Sequence, residues 1–205
     1  MSIANNYNDF KREIELIIKQ NPLECELYSI VATIIRERDS SKNISLRDVS
    51  RITEQSEVIN PRDRKYKDNE GIYGSSDFLV INTDYVYSQR NTKLILGCIE
   101  VKAIYLELDK GIEQKINQFS GELKTFGKLI YTNGIVWRLY EYDPDIEKNN
   151  LVWEITLGKY VQDRRSIQSN NLKISDTDYI LWNEVGEWHK LLDEIDKIIW
   201  DKISV

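Results

Sequence analysis

Two acidic residues and one lysine interrupt otherwise apolar sequence in the middle of the chain. Asp77 opens an apolar run at 78–81, and Glu100 and Lys102 flank Val101 at the end of a second apolar run. Side chains alternate between the two faces of a strand, so Glu100 and Lys102 point the same way and Val101 points into the opposite layer. Charged groups in such surroundings need partners or a metal ion. If the two runs are neighbouring strands, the pattern is typical of a site that hydrolyses phosphodiester bonds, because Mg²⁺ takes one or two carboxylates together with phosphate and water.

The elements that must position these residues follow from the spacing of apolar residues. Apolar, β-branched runs predict strands at 78–81, 94–101, 129–132, 135–142 and 151–157. The connection between the first two is short enough for an antiparallel pair, and Asn133-Gly134 is a strong hairpin signal between the third and the fourth.

Apolar residues at helical spacing predict the helices. Four predicted helices span residues 7–20, 45–58, 112–123 and 178–203. A further helix begins at an Asn21 N-cap with Pro22 and runs through Ile35. The order of elements predicts a single α/β domain over residues 1–205, with a mixed central sheet flanked by helices. The last helix carries an almost heptad apolar stripe, which we interpret as packing on the domain; a homodimer or partner-subunit contact through this helix is the second interpretation.

The set Asp77, Glu100 and Lys102 resembles the PD-(D/E)xK nuclease superfamily, with Ser76 in place of the Pro that often precedes the first Asp. Residues 128–140 resemble one branch, the amino-terminal nuclease domain of type I restriction motor subunits. In that branch a helix with a Gln-x-x-x-Tyr element precedes the hairpin, whereas here the residue four positions after Gln118 is Glu122. The resemblance covers roughly residues 22–142.

This resemblance implies a restriction-endonuclease-like fold and a DNA endonuclease that depends on Mg²⁺ or Mn²⁺. It implies that Asp77 and Glu100 hold the ion with the carbonyl of Val101. Lys102 would orient or deprotonate the attacking water, or neutralise charge on the phosphate; a pKa depressed by a nearby metal would suit the base. The implied setting is restriction, phage defence or a mobile element. A junction-resolving or homing nuclease would use the same residues.

Two further polar residues are candidates for the site. Relatives often carry an extra Glu on a helix before the first motif strand, and Glu24 is the candidate here, with Glu26 in reserve. The alternative is a capping box in which Glu24 bonds the backbone of Asn21. Gln118 is a candidate to contact the metal-bound water or a phosphate, and an ordinary surface glutamine is its alternative.

The charge of the chain is unevenly distributed. Its net charge is −6, yet a basic group precedes the motif strands. This group, a candidate for nucleic-acid binding through phosphates, consists of Arg62, Arg64, Lys65 and Lys67. The alternative is a solvated surface. The carboxyl-terminal part is acidic, so we expect DNA to avoid it.

Composition removes several classes of function. His189 is the single histidine, and no P-loop or Cys/His zinc pattern exists, so a zinc site and a built-in ATP motor are excluded. Cys25 and Cys98 are predicted to be reduced core residues of a cytoplasmic protein, since no membrane span or signal peptide is visible.

A catalytically silent module that binds nucleic acid or a partner subunit is the rival function, and an assembly protein acting through the last helix is a third. DNA against RNA, and duplex against branched substrate, stay open.

Overall fold

The central sheet forms where apolar and β-branched residues follow one another. The protein is seen in a computed structural model that describes residues 3–38, 43–50, 76–89, 91–160 and 179–201, and the backbone of 66–67 and 73–74. The strands are β1 (Ile44–Asp48), β2 (Tyr66–Lys67), β3 (Tyr73–Gly74), β4 (Phe78–Asn82), β5 (Ile95–Val101), β6 (Lys128–Thr132), β7 (Val136–Asp143), β8 (Lys148–Thr156), β9 (Gly158–Tyr160) and β10 (Ile180–Trp182).

Six of these strands form one sheet in the order β1-β4-β5-β6-β7-β8. Within it β5 and β6 are parallel, and the other neighbours are antiparallel. The remaining strands form the pairs β9–β10 and β2–β3. The sheet is mixed, as predicted.

Helices cover both faces of this sheet. Within the described ranges they are α1 (Tyr7–Gln20), α2 (Leu27–Arg38), α3 (Leu108–Gln114), α4 (Ile116–Phe126) and α5 (Val185–Asp196). Buried residues of α1, α2 and α5 pack on the sheet face that carries Ile99 and Val101. Buried residues of α3 and α4 pack on the opposite face, which carries Leu79 and Cys98. The result is the α/β architecture expected from the sequence, compatible with a restriction-endonuclease-like fold.

The hairpin between β6 and β7 forms at Asn133-Gly134. Gly134 has φ +85°, and a Cβ at this position would lie 3.2 Å from Leu27 and 3.4 Å from Ile14. The side-chain amide of Asn133 donates to the carbonyl of Leu106 at 2.9 Å, and its side-chain oxygen accepts from the backbone N–H groups of Ile135 and Val136. The hairpin therefore fixes the segment that leaves β5.

Three helix predictions are wrong in extent or type. The first four residues of the helix predicted at 45–58 lie in β1, whose pairing with β4 buries Leu46; the part beyond residue 50 lies outside the described residues. The helix predicted at 112–123 is two helices, because the backbone turns at Lys115. The helix predicted at 178–203 is shorter: α5 begins at Val185, since β10 pairs with β9.

The prediction for Asn21 is also wrong. Its backbone N–H donates to the carbonyl of Ile17 at 2.9 Å, so Asn21 ends α1 and does not cap the next helix. A 3₁₀ turn at Glu24–Glu26 then precedes α2. Cys25 is exposed in this turn, contrary to expectation, while Cys98 is buried as predicted.

The apolar stripe of α5 is used inside the domain. Trp188, Leu191, Leu192 and Ile195 are buried in the same core as α1 and α2. Of the two interpretations of this helix, packing on the domain is the one the structure shows. No helix within the described part of the chain is long and apolar enough to cross a membrane.

Candidate active site

Asp77 and Glu100 lie across the antiparallel pair β4–β5. Phe78 is paired with Ile99, so the next positions along the ladder are Asp77 and Glu100. One carboxylate oxygen of Asp77 accepts the backbone N–H of Val101 at 2.7 Å. The strand pairing thus brings the two acidic residues together at one end of the sheet.

Lys102 completes the set at the end of β5. Its backbone N–H donates to the carbonyl of Thr132 at 2.7 Å, which anchors the residue to β6. Its ammonium forms an ion pair with Glu100, and the two side chains are only 7% and 5% exposed. Side-chain alternation places Glu100 toward α4 and Val101 in the opposite core, as expected.

Glu24 also reaches this end of the sheet. Its carboxylate accepts the backbone N–H of Ala103 at 3.0 Å, across 79 residues of sequence. The capping-box interpretation is wrong, because the side-chain amide of Asn21 donates to Glu26 and its backbone N–H donates to the carbonyl of Ile17. Glu26 is exposed and engaged with Asn21, so the reserve candidate lies outside the cluster.

Tyr28 is a member of the cluster that sequence reasoning missed. Its hydroxyl donates a hydrogen bond to Asp77, and its ring packs edge-on against Phe78 with centroids 5.3 Å apart. Both Glu24 and Tyr28 fall in the helix predicted from Asn21 through Ile35, and residues four apart in a helix share a face, so this spacing is the available signal. Without the strand order, however, nothing indicated that this face meets Asp77.

Gln118 lies over Glu100 on α4. Its side-chain amide donates to Glu100 at 2.8 Å and to Glu122 at 3.2 Å. Glu122 also accepts a hydrogen bond of 3.1 Å from the hydroxyl of Ser76, the neighbour of Asp77. Gln118 is therefore not an ordinary surface glutamine, and Glu122 is a second residue whose place the sequence did not indicate.

The charges of these groups perturb one another. Burial raises the pKa of Asp77 to about 7, and the negative charge of Glu100 adds to the rise. Burial likewise raises the pKa of Glu24. Burial would lower the pKa of Lys102, but the charge of Glu100 and its hydrogen bond outweigh this effect and raise it. A nearby metal ion is expected to lower the pKa of Lys102, whereas here this pKa is raised, because the nearest charge is the carboxylate of Glu100.

The donor chemistry of the cluster suits a hard divalent cation. Asp77, Glu100 and Glu24 are three acidic side chains that interact electrostatically with Lys102, so acidic groups outnumber the cation. No group of three or more His, Cys, Asp or Glu side chains within the described ranges is arranged to enclose a metal ion. Two carboxylates still fit Mg²⁺ or Mn²⁺, since Mg²⁺ commonly completes its shell with water and phosphate.

The predicted phosphate-binding group is largely outside the described residues. This holds for Arg62, Arg64 and Lys65, and for Lys67 the structure describes only the backbone, in β2. Arg38, the last residue of α2, forms an ion pair with Asp196 of α5.

Comparison with known proteins identifies a shared fold. No protein-family model matches the chain, and no curated protein matches it in sequence. Among solved structures, the chain is similar to one described as the cryo-EM structure of the DrdV–DNA complex, with a TM-score of 0.52 and 11% sequence identity. The similarity covers 93% of this chain and 13% of the matched chain. The matched protein is therefore much longer, and the likeness at this identity is one of architecture.

Proposed function

We propose that this protein is a metal-dependent nuclease that hydrolyses phosphodiester bonds in DNA. The observation that carries the proposal is the buried pair Asp77 and Glu100 across β4–β5, with Lys102 ion-paired to Glu100. Buried charges cost free energy unless they are paired or bind a cation, so their presence at a sheet end favours a functional site. The DNA complex of the structurally similar protein supports DNA as the substrate.

Asp77, Glu100 and the carbonyl of Val101 are the groups that would hold Mg²⁺ or Mn²⁺. When bound, such an ion polarises the scissile phosphate and lowers the pKa of a bound water. The hydrogen bonds from Val101 and Tyr28 hold the carboxylate of Asp77 in one orientation before any ion arrives. This preorganisation reduces the cost of assembling the site.

The remaining side chains have roles around these ligands. Lys102 would orient the attacking water or neutralise charge that develops on the phosphate. Glu24 holds the backbone that follows Lys102 and adds an acidic side chain for the ion or its water shell. Gln118 keeps Glu100 oriented through the amide contact of 2.8 Å.

The test is a cleavage assay with purified protein on supercoiled plasmid, linear duplex, single-stranded DNA and RNA. We expect cleavage of DNA in Mg²⁺ or Mn²⁺, none in EDTA, and binding without cleavage in Ca²⁺. Asp77→Asn should abolish cleavage. The matched control is Asp84→Asn, the same change at an exposed position beyond the other end of β4, and it should leave cleavage intact.

Two outcomes would contradict the proposal. Cleavage that persists in Asp77→Asn would show that the activity comes from another source. Binding of DNA without cleavage of any substrate in Mg²⁺ or Mn²⁺ would identify a nuclease-like binding module, the rival function.

A further inference from the structure

Glu122 of α4 is a buried carboxyl group that the roles above do not use. Its side chain is fully buried, beside the apolar cluster of Leu123, Phe119 and Cys98. One carboxyl oxygen accepts hydrogen bonds from Ser76 and Gln118, and the other has no partner within the described part of the chain. Burial, and then the charge of Glu100, raises its pKa well above the ordinary value.

The fold alone does not require a carboxyl group at this position. A buried polar atom without a hydrogen-bond partner destabilises the folded state. The free-energy cost of burying the Glu122 carboxyl group therefore favours a functional role at the neighbouring site.

The contacts of Glu122 indicate what that task is. Residues 118 and 122 are four apart on α4 and share a face, so the Gln118 amide lies between Glu122 and Glu100. An amide nitrogen carries two protons, and here one can go to each carboxyl group. If the amide turned over, its oxygen would face both carboxyl groups, so the two acceptors together select one orientation of Gln118.

We propose that Glu122 is a positioning residue for the metal-binding carboxylate. It locks the amide of Gln118, which in turn orients Glu100, and its bond to Ser76 ties α4 to the strand end that carries Asp77. This inference rests on the proposed function, because it assigns Glu122 to the support of the same site.

Two substitutions separate this role from ordinary packing. Glu122→Gln keeps an oxygen that can accept from Ser76 and Gln118, whereas Glu122→Met fills similar space without an acceptor. Loss of such a supporting contact typically weakens metal affinity or activity roughly 10- to 100-fold. We expect that loss in Glu122→Met while the protein stays folded, and near wild-type behaviour in Glu122→Gln.

The measurements are calorimetric titration with Mn²⁺ in the absence of DNA and the Mg²⁺ dependence of cleavage. The control is Glu113→Met, an exposed position on α3, which should behave like the wild type. Gln118→Leu should reproduce Glu122→Met, and the double variant should add little, because both remove one contact chain. Full metal affinity in Glu122→Met, or an equal defect in Glu122→Gln, would overturn the proposal.

A structural readout keeps this inference separate from the nuclease proposal. Crystal structures of Glu122→Gln and Glu122→Met should show the Gln118 amide on Glu100 in the first and displaced in the second. An unmoved amide in Glu122→Met would refute the positioning role whatever the activity. Failure of the wild type to bind Mn²⁺ or cut DNA would instead refute the proposed function.

Discussion

At the scale of single residues, acidic side chains outnumber basic ones in the site. Asp77, Glu100 and Glu24 are acidic groups drawn together by the fold, and Lys102 is the buried cation among them. Without a bound cation these carboxylates repel one another in a medium that screens them poorly. We therefore expect the site to weaken the folded state of the metal-free protein.

Replacing Asp77 with Asn tests this repulsion. Asn keeps an oxygen that accepts from the N–H of Val101 and has an NH2 group that can donate to the Tyr28 hydroxyl, but it removes the charge. We expect Asp77→Asn to raise the melting temperature in EDTA, and Mn²⁺ to raise that of the wild type but not of the variant. A clear loss of stability in Asp77→Asn in EDTA would contradict this account.

The effect of Asp77→Asn should depend on pH. An unfolded chain ionises Asp near pH ~4, whereas the folded protein holds this proton until about pH 7. The wild type therefore loses free energy of unfolding as the pH rises through this window, since its unfolded state binds fewer protons. The stabilisation from Asp77→Asn, measured by urea unfolding, should grow from about pH 4 to 7 and then level off. A constant difference would show that Asp77 has an ordinary pKa.

Tyr28→Phe isolates the hydroxyl that holds Asp77. The ring contact with Phe78 is kept, so the change removes one hydrogen bond and little packing. We expect a loss of about 1–2 kcal/mol in the free energy of unfolding and weaker Mn²⁺ binding by calorimetry. Unchanged Mn²⁺ affinity would mean that Tyr28 supports the fold and not the site.

At the scale of elements, the β6–β7 hairpin holds the chain beyond β5. A side chain at Gly134 is disfavoured twice, by its positive φ and by the proximity of Leu27 and Ile14. Gly134→Ala should cost roughly 1–2 kcal/mol from the backbone alone, measured by urea unfolding.

Gly186 of α5 provides the matched control. A Cβ there meets no atom within 4 Å, and the position is helical. Gly186→Ala should be neutral or stabilising by up to about 1 kcal/mol. A similar loss in both variants would show that the φ of Gly134 is not the cause.

At the scale of the whole molecule, a net charge of −6 must be reconciled with a DNA substrate. Arg38 is already paired with Asp196, so the phosphate contacts are expected from the basic group defined above. Replacing Arg62, Arg64 and Lys65 with Gln should weaken DNA binding across sequences. Each lost phosphate contact should flatten the plot of log affinity against log salt by about 0.9 for duplex DNA.

The control for this prediction is the replacement of Lys190 of α5 and Lys197, the residue that follows α5, with Gln. Both lysines are exposed and belong to the acidic carboxyl-terminal part of the chain. Their replacement should leave the salt dependence unchanged. An unchanged slope in the triple variant would place the phosphate contacts elsewhere on the chain or on a partner.

Local pattern was enough to predict the part of the site that lies on adjacent strands. Strand alternation put Glu100 and Lys102 on one face, and the short connection between two apolar runs predicted that Asp77 would be their neighbour. Asn133-Gly134 predicted its hairpin for the same reason, because a two-residue turn signal is read from adjacent residues.

The rest of the site is supplied by elements that are distant along the chain. Tyr28 of α2 and Glu122 of α4 reach the site from opposite faces of the sheet. Glu24 reaches it from the turn before α2, and its contact with Ala103 spans 79 residues. β1 was mistaken for a helix because its strand identity depends on pairing with β4. Covalent geometry dictates which neighbours along the chain share a face, whereas the order of strands and the helix that covers each face depend on how the whole core packs.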